Sequence, residues 1–179
     1  MTDPGAGHLI FGAARDVRPM TGTDRAPLTR ELGRAPRGVI GVAYRCGHGV
    51  PAVVQTAPEL EDGTPFPTLY YLCCSVLNAA VSRMESAGVM AAMTVRLTED
   101  GDLASAYGRA HDSYLATRNA LGDLGTEVSA GGMPDRVKCL HVLVAHSLAV
   151  GRGVNPLGDE AVDRLVGYFR DQPPCARLD

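Results

Sequence analysis

The feature that most constrains this chain is a change of hydrophobic period near Ser75. Val39 to Tyr44 is β-branched and apolar and follows Pro36 and Gly38, so it reads as a strand. Gly47-His48-Gly49 signals a turn, and Ala52 to Thr56 reads as the returning strand. Glu61 to Pro65 is a polar turn, and Thr68 to Cys73, dense in Leu and Tyr, reads as a third strand. Tight turns join antiparallel strands, whereas parallel pairs need long crossovers. After Ser75, Leu77, Ala80, Val81, Met84 and Ala87 recur at helical spacing. The expected fold class is therefore α+β, a small three-stranded antiparallel sheet followed by a cluster of four or five helices.

Further helices are expected over Val89 to Leu97, after the break at Gly88, and from an N-cap at Asp102 through Leu121. The second carries Leu103, Ala106, Tyr107, Ala110 and Tyr114 on one stripe. Gly122 to Gly132 is a loop. Pro134 suits the first position of a strongly apolar helix running to about Val150 and ended by Gly151. Leu140, Leu143, Val144 and Leu148 make it the central one. Asn155 to Gly158 is a turn, and Asp159 is expected to cap a last helix ending near Phe169. Leu28 to Gly33 suggests one helical turn. The organisation expected is a mobile tail over 1–27, in which His8 to Phe11 could dock, one domain over 28–172, and a loose tail over 173–179.

Composition narrows the function classes. With no Trp and three Phe, the core must be built from Leu, Val, Ala, Met and Tyr. A net charge of −3 argues against broad nucleic-acid binding, which leaves a basic footprint. The N-terminus lacks a signal pattern and no apolar run approaches membrane-spanning length, so a cytoplasmic protein is expected. Its five Cys are Cys46, Cys73, Cys74, Cys139 and Cys175. Without a secretion signal, the odd number points to free thiols or metal ligands.

Ser129 to His141 is where chemistry concentrates. Gly131-Gly132 leads into Pro134, and Arg136, Lys138, Cys139 and His141 then crowd the expected first turns of a helix. Helix N-termini present free N–H groups and partial positive charge, which suit anions and favour thiolate. One reading is an anion pocket of Gly131, Gly132, Asp135, Arg136, Lys138 and His141; its plain alternative is an ordinary loop-to-helix junction with solvated charges. No P-loop pattern is present. A second reading is a Zn²⁺ or iron–sulfur site from Cys46, Cys74 and Cys139, each at an element end. Its plain alternative is three small buried hydrophobes. Cys139 and His146 share a face but stand ~10.5 Å apart along the axis. Cys139 and His141 point to different faces unless the helix begins at about Leu140. A third reading is a nucleophilic Cys139, although no protease or phosphatase signature surrounds it.

Several motifs occur together. They are Leu32-Gly33-Arg34, Pro36 to Val39, Pro51 to Val54, Asp62 to Leu72, the Ser129 to His141 block and Asn155 to Glu160. In that order they resemble the actinobacterial domain-of-unknown-function family five hundred and one, over roughly Leu28 to Val166. Gln55, Ser75 and Gly47 stand where that family's pattern has Lys, Pro and Pro. The resemblance implies a protein without an assigned activity, encoded near a septum-formation initiator and an exopolyphosphatase-like protein.

The leading functional expectation is a binding protein or enzyme that takes a small anionic ligand where the Gly131 helix start meets the loop of Thr64, Pro65 and Phe66. The others are a protein-interaction module working with division or envelope machinery, which only the resemblance's gene neighbourhood implies, and a protein with a structural metal.

Overall fold

Three strands form the sheet in the computed structural model, which describes residues 16–170. They are β1 (Val39–Arg45), β2 (Pro51–Thr56) and β3 (Tyr70–Leu72), in the order β1-β2-β3 and antiparallel throughout. Val42 pairs with Val54, and Val53 with Leu72. The central strand β2 is buried along its whole length, because both sheet faces are covered. On one face Ala43, Tyr44, Val53 and Leu72 join the main core. On the other, Val54 and Cys73 pack with Leu28 of α1 (Arg25–Leu32). β3 is shorter than the expected Thr68 to Cys73. Backbone bonds still run from Thr56 N–H to the Leu69 carbonyl and from Cys73 N–H to the Ala52 carbonyl, and side chains add to them: Thr56 Oγ1 donates to the Thr68 carbonyl, and Leu69 N–H donates to the Tyr114 hydroxyl at 2.6 Å.

The chain joins this fold ahead of Leu28. Arg18 exchanges backbone hydrogen bonds with Val42, and a Cβ at Gly41 would run into the Arg18 carbonyl. Asp24, just before α1, is buried and takes two bonds from Arg45 at 2.6 and 2.8 Å, which fastens α1 to the end of β1. His8 to Phe11 and 173–179 lie outside the described residues.

Among the described residues, five helices follow the sheet: α2 (Ser75–Ser86), α3 (Val89–Glu99), α4 (Gly101–Leu121), α5 (Leu140–Val150) and α6 (Pro156–Arg170). Gly88, at φ 81°, separates α2 from α3 as the sequence suggests. Two caps differ from expectation. Asp100, not Asp102, caps α4, its side chain accepting the Leu103 N–H at 2.9 Å. Asn155, not Asp159, caps α6, its Oδ1 accepting the Gly158 N–H at 3.0 Å while Pro156 opens the helix. Leu140, Leu143, Val144 and Leu148 are all buried, and α5 lies between the sheet and α6. Gly158 permits that close approach, since a Cβ there would collide with the Leu143 carbonyl and the Ser147 hydroxyl.

The start of α5 is the main correction. It begins at Leu140, six residues beyond Pro134. Gly131 and Gly132 adopt φ values of 75° and 89°, and the chain folds back on them. Lys138 N–H donates to the Gly131 carbonyl at 2.7 Å and Arg136 N–H to the Gly132 carbonyl at 3.1 Å. Met133 and Val137 anchor this loop in the core. Val137 N–H reaches Thr94 Oγ1 at 3.0 Å, and the Tyr107 hydroxyl reaches the Arg136 carbonyl at 3.3 Å. Upstream, the buried Arg118 holds the Thr126 and Val128 carbonyls. With its polar groups satisfied in this way, the segment has no need of a helical ladder.

Candidate functional site

Because α5 starts at Leu140, Cys139 and His141 come together instead of diverging. Cys139 is the residue before the helix, in extended conformation, and its Sγ lies 3.9 Å from His141 Nδ1. Glu85, in the last turn of α2, reaches the same point. Its Oε1 accepts the Leu140 N–H at 2.7 Å and lies 3.1 Å from His141 Nδ1. A carboxylate at a helix start satisfies a free N–H and meets the positive end of the dipole. The ligand atoms of Glu85, Cys139 and His141 all lie within 4.8 Å of one another, and all three residues are half-buried.

The other imidazole nitrogen is held too. His141 Nε2 is 3.3 Å from the Asn78 carbonyl and 3.4 Å from Ser82 Oγ. With a carbonyl oxygen at one nitrogen and a carboxylate at the other, the ring has acceptors for two protons. Cys139 and Glu85 outweigh the opposing effect of burial and push the His141 pKa up to about 9.

Cys139 and His141 form part of the wall of a cleft of about 390 Å³. Thr68, Tyr70, Tyr71 and Leu72 line it from the sheet edge, with Asn78 of α2 and Val142 of α5 opposite. Its lining thus mixes aromatic and aliphatic side chains with the polar Thr68, Asn78, Cys139 and His141, a combination found in small-molecule sites. Tyr70 is fixed from behind. It stacks on His146 at 5.9 Å between centroids, and Tyr114 meets His146 edge-on at 5.2 Å. Asn155 Oδ1 is engaged by Gly158, so its Nδ2 donates to His146 Nδ1 at 3.2 Å. Burial lowers the His146 pKa to about 4, leaving a neutral ring in the core.

Of the residues expected to bind an anion, His141 alone enters this cluster. Gly131 and Gly132 lie in the turn, and their carbonyls accept from the loop. Asp135, Arg136 and Lys138 are exposed, and neither Arg136 nor Lys138 has an ion-pair partner among the described residues. The true helix start already carries the Glu85 carboxylate. Nor do Cys46 and Cys74 join Cys139 in a cluster of ligand atoms within 4.8 Å, among the described residues. Both are buried in the main core, and burial pushes the Cys74 thiol up to about 11. Sequence reasoning missed Glu85. The available signal was the helical spacing of Ser82 and Glu85 on α2, whose side chains both reach His141, one turn after the Asn78 carbonyl that also meets it.

Fold and site together define an α+β domain whose sheet edge, α2 and the start of α5 enclose a cleft headed by a Cys–His–Glu cluster. The chain belongs to the family described as Protein of unknown function (DUF501), whose model matches residues 42–163. That span runs from β1 into α6 and contains every residue of the cluster and the cleft. No curated protein and no solved structure matches the chain. Among the described residues, no helix is long and apolar enough to cross a membrane.

Proposed function

We propose that the protein binds a small anionic ligand with an apolar body in the cleft between Tyr70, Tyr71 and Val142. The anionic end of the ligand meets the Cys139–His141 end. The observation that carries this reading is that Cys139 and His141 stand in the wall of a cleft whose other lining is Tyr70, Tyr71, Leu72 and Val142 with the polar Thr68 and Asn78. Tyr71 and Val142 offer apolar area, while the Asn78 amide and Thr68 hydroxyl can orient polar atoms. Arg136 and Lys138, exposed in the loop that leads into Cys139, add positive charge to the approach. The anion reading thus moves from the Gly131-Gly132 turn to the cleft wall at His141.

The test is an amide NMR titration with inorganic phosphate, acetate, benzoate and phenyl phosphate. Saturable shifts are expected at Tyr70 to Leu72, Asn78 and Leu140 to Val142. The aryl compounds should bind more tightly than acetate, and salt should weaken them all. Shifts confined to Gly131 to Lys138 would restore the turn as the site, and no shift with any probe would remove the anion reading.

A further inference from the structure

Glu85, Cys139 and His141 offer three different donors, a carboxylate oxygen, a thiolate sulfur and an imidazole nitrogen, and come from two helix ends that pack together. We infer that this cluster holds one Zn²⁺ ion, ligated by Glu85, Cys139 Sγ and His141 Nδ1, with its fourth position turned to the cleft. The inference rests on the cleft reading above only for what the ion would serve.

Distances support it. Tetrahedral zinc with bonds of about 2.0–2.3 Å to O, N and S requires ligand atoms roughly 3.3–3.6 Å apart. Two of the three pairs stand at 3.1 Å for Glu85 Oε1 to His141 Nδ1 and 3.9 Å for Cys139 Sγ to His141 Nδ1, and the third, Glu85 to Cys139, lies within 4.8 Å.

The surroundings support it as well. A histidine that ligates through one nitrogen commonly donates its other N–H to a backbone carbonyl, which fixes the ring. His141 Nε2 faces the Asn78 carbonyl at 3.3 Å in that manner. Glu85 is steadied by the Leu140 N–H. The geometry also differs from a nucleophile relay, in which thiol and carboxylate address opposite ring nitrogens. Here Cys139 and Glu85 converge on the same nitrogen, which is how ligands surround an ion. One thiol is too few for an iron–sulfur cluster, which is held mainly by cysteine thiolates. Mixed O, N and S donors suit zinc. On binding, the Cys139 thiol proton and the Nδ1 proton pass to solvent, and nothing is oxidised or reduced. Three protein ligands and an open position are the arrangement of zinc sites that polarise a bound substrate or water.

The experiment uses the full chain, stripped of metal under reducing conditions. Zn²⁺ is titrated against a chromophoric chelator, and the Co²⁺ form is recorded in the visible and near-ultraviolet. One equivalent should bind, with a sulfur-to-cobalt charge-transfer band. Cys139→Ser should abolish the band and weaken zinc binding by about a hundredfold or more. Glu85→Gln and His141→Gln should weaken it by at least about tenfold, the scale seen when even outer partners of a metal are removed. Cys46→Ala and Cys74→Ala should bind like wild type. Absence of the band in wild type overturns the inference without recourse to any variant. So does a band that survives Cys139→Ser or disappears in Cys46→Ala. If Cys139→Ser fails to fold, alkylation of wild type decides: zinc should protect Cys139 from iodoacetamide, and equal labelling with and without zinc overturns the site. Zinc binding without response to the anion probes would leave this inference standing and remove the proposed function. Anion binding to a chain that takes no zinc would do the reverse.

Discussion

At the residue scale, the two buried polar groups that matter most both make the fold acid-sensitive, in different pH windows. Asp24 has its side chain 6% exposed and takes bonds from Arg45 and from the Thr21 backbone and hydroxyl. Arg45 foremost holds its carboxyl well below the usual carboxylate range. Its contribution is therefore complete above the unfolded value near 4 and is lost as pH falls through the lower folded value. Asp24→Ala at pH 7 should cost about 1–3 kcal/mol, the scale for removing one partner of a charged hydrogen bond. An unchanged urea midpoint would show that the pair contributes nothing net. His146 has the same sign at higher pH, because burial lowers its pKa. Its folded pKa of about 4 lies below the unfolded value of ~6.5, so the unfolded chain gains protons first as pH falls. Stability should drop between about pH 6.5 and 4 on its account. Ring NMR signals should still show neutral His146 at pH 5.5; a midpoint near 6.5 would contradict its burial between Tyr70 and Tyr114.

At the scale of elements, α5 decides both the core and the site. Leu140→Ala should destabilise by roughly 2–5 kcal/mol if the site cannot collapse. A change within ~0.5 kcal/mol, typical of surface positions, would make the helix peripheral. The loop before it should answer to its two clamps. In Thr94→Val the Val137 N–H loses its acceptor, so its hydrogen exchange should accelerate while α5 amides stay protected. Unchanged exchange at Val137 would mean Thr94 does not hold the loop. These elements also show what was legible in the sequence. Strand positions, the apolar run from Leu140 and the break at Gly88 follow from local period and composition, and the structure bears them out. The start of α5 did not follow, because Pro134 is a good helix opener taken alone. What overrides it is tertiary: Gly131 and Gly132 at positive φ, Thr94 and Tyr107 from other helices, and Val137 drawn into the core. Glu85 escaped notice for the same reason. Its partners Leu140 and His141 lie more than fifty positions away in the chain, and only the packing of α2 against α5 joins them.

At the scale of the molecule, the sheet serves as a wall. Helices cover one face and α1 the other, and the cleft opens at the β3 edge, where α2 and α5 meet. Cys46 and Cys74 belong to the core of this body, whereas the half-buried Cys139 stands in the cleft wall beside Glu85 and His141. One thiol, not three, therefore faces the ion. X-ray absorption at the zinc edge of the zinc-loaded full chain tests that most directly. The zinc should be surrounded by one sulfur at ~2.3 Å and three nitrogen or oxygen atoms at about 2.0–2.2 Å. Two or more sulfurs, or none, would contradict it.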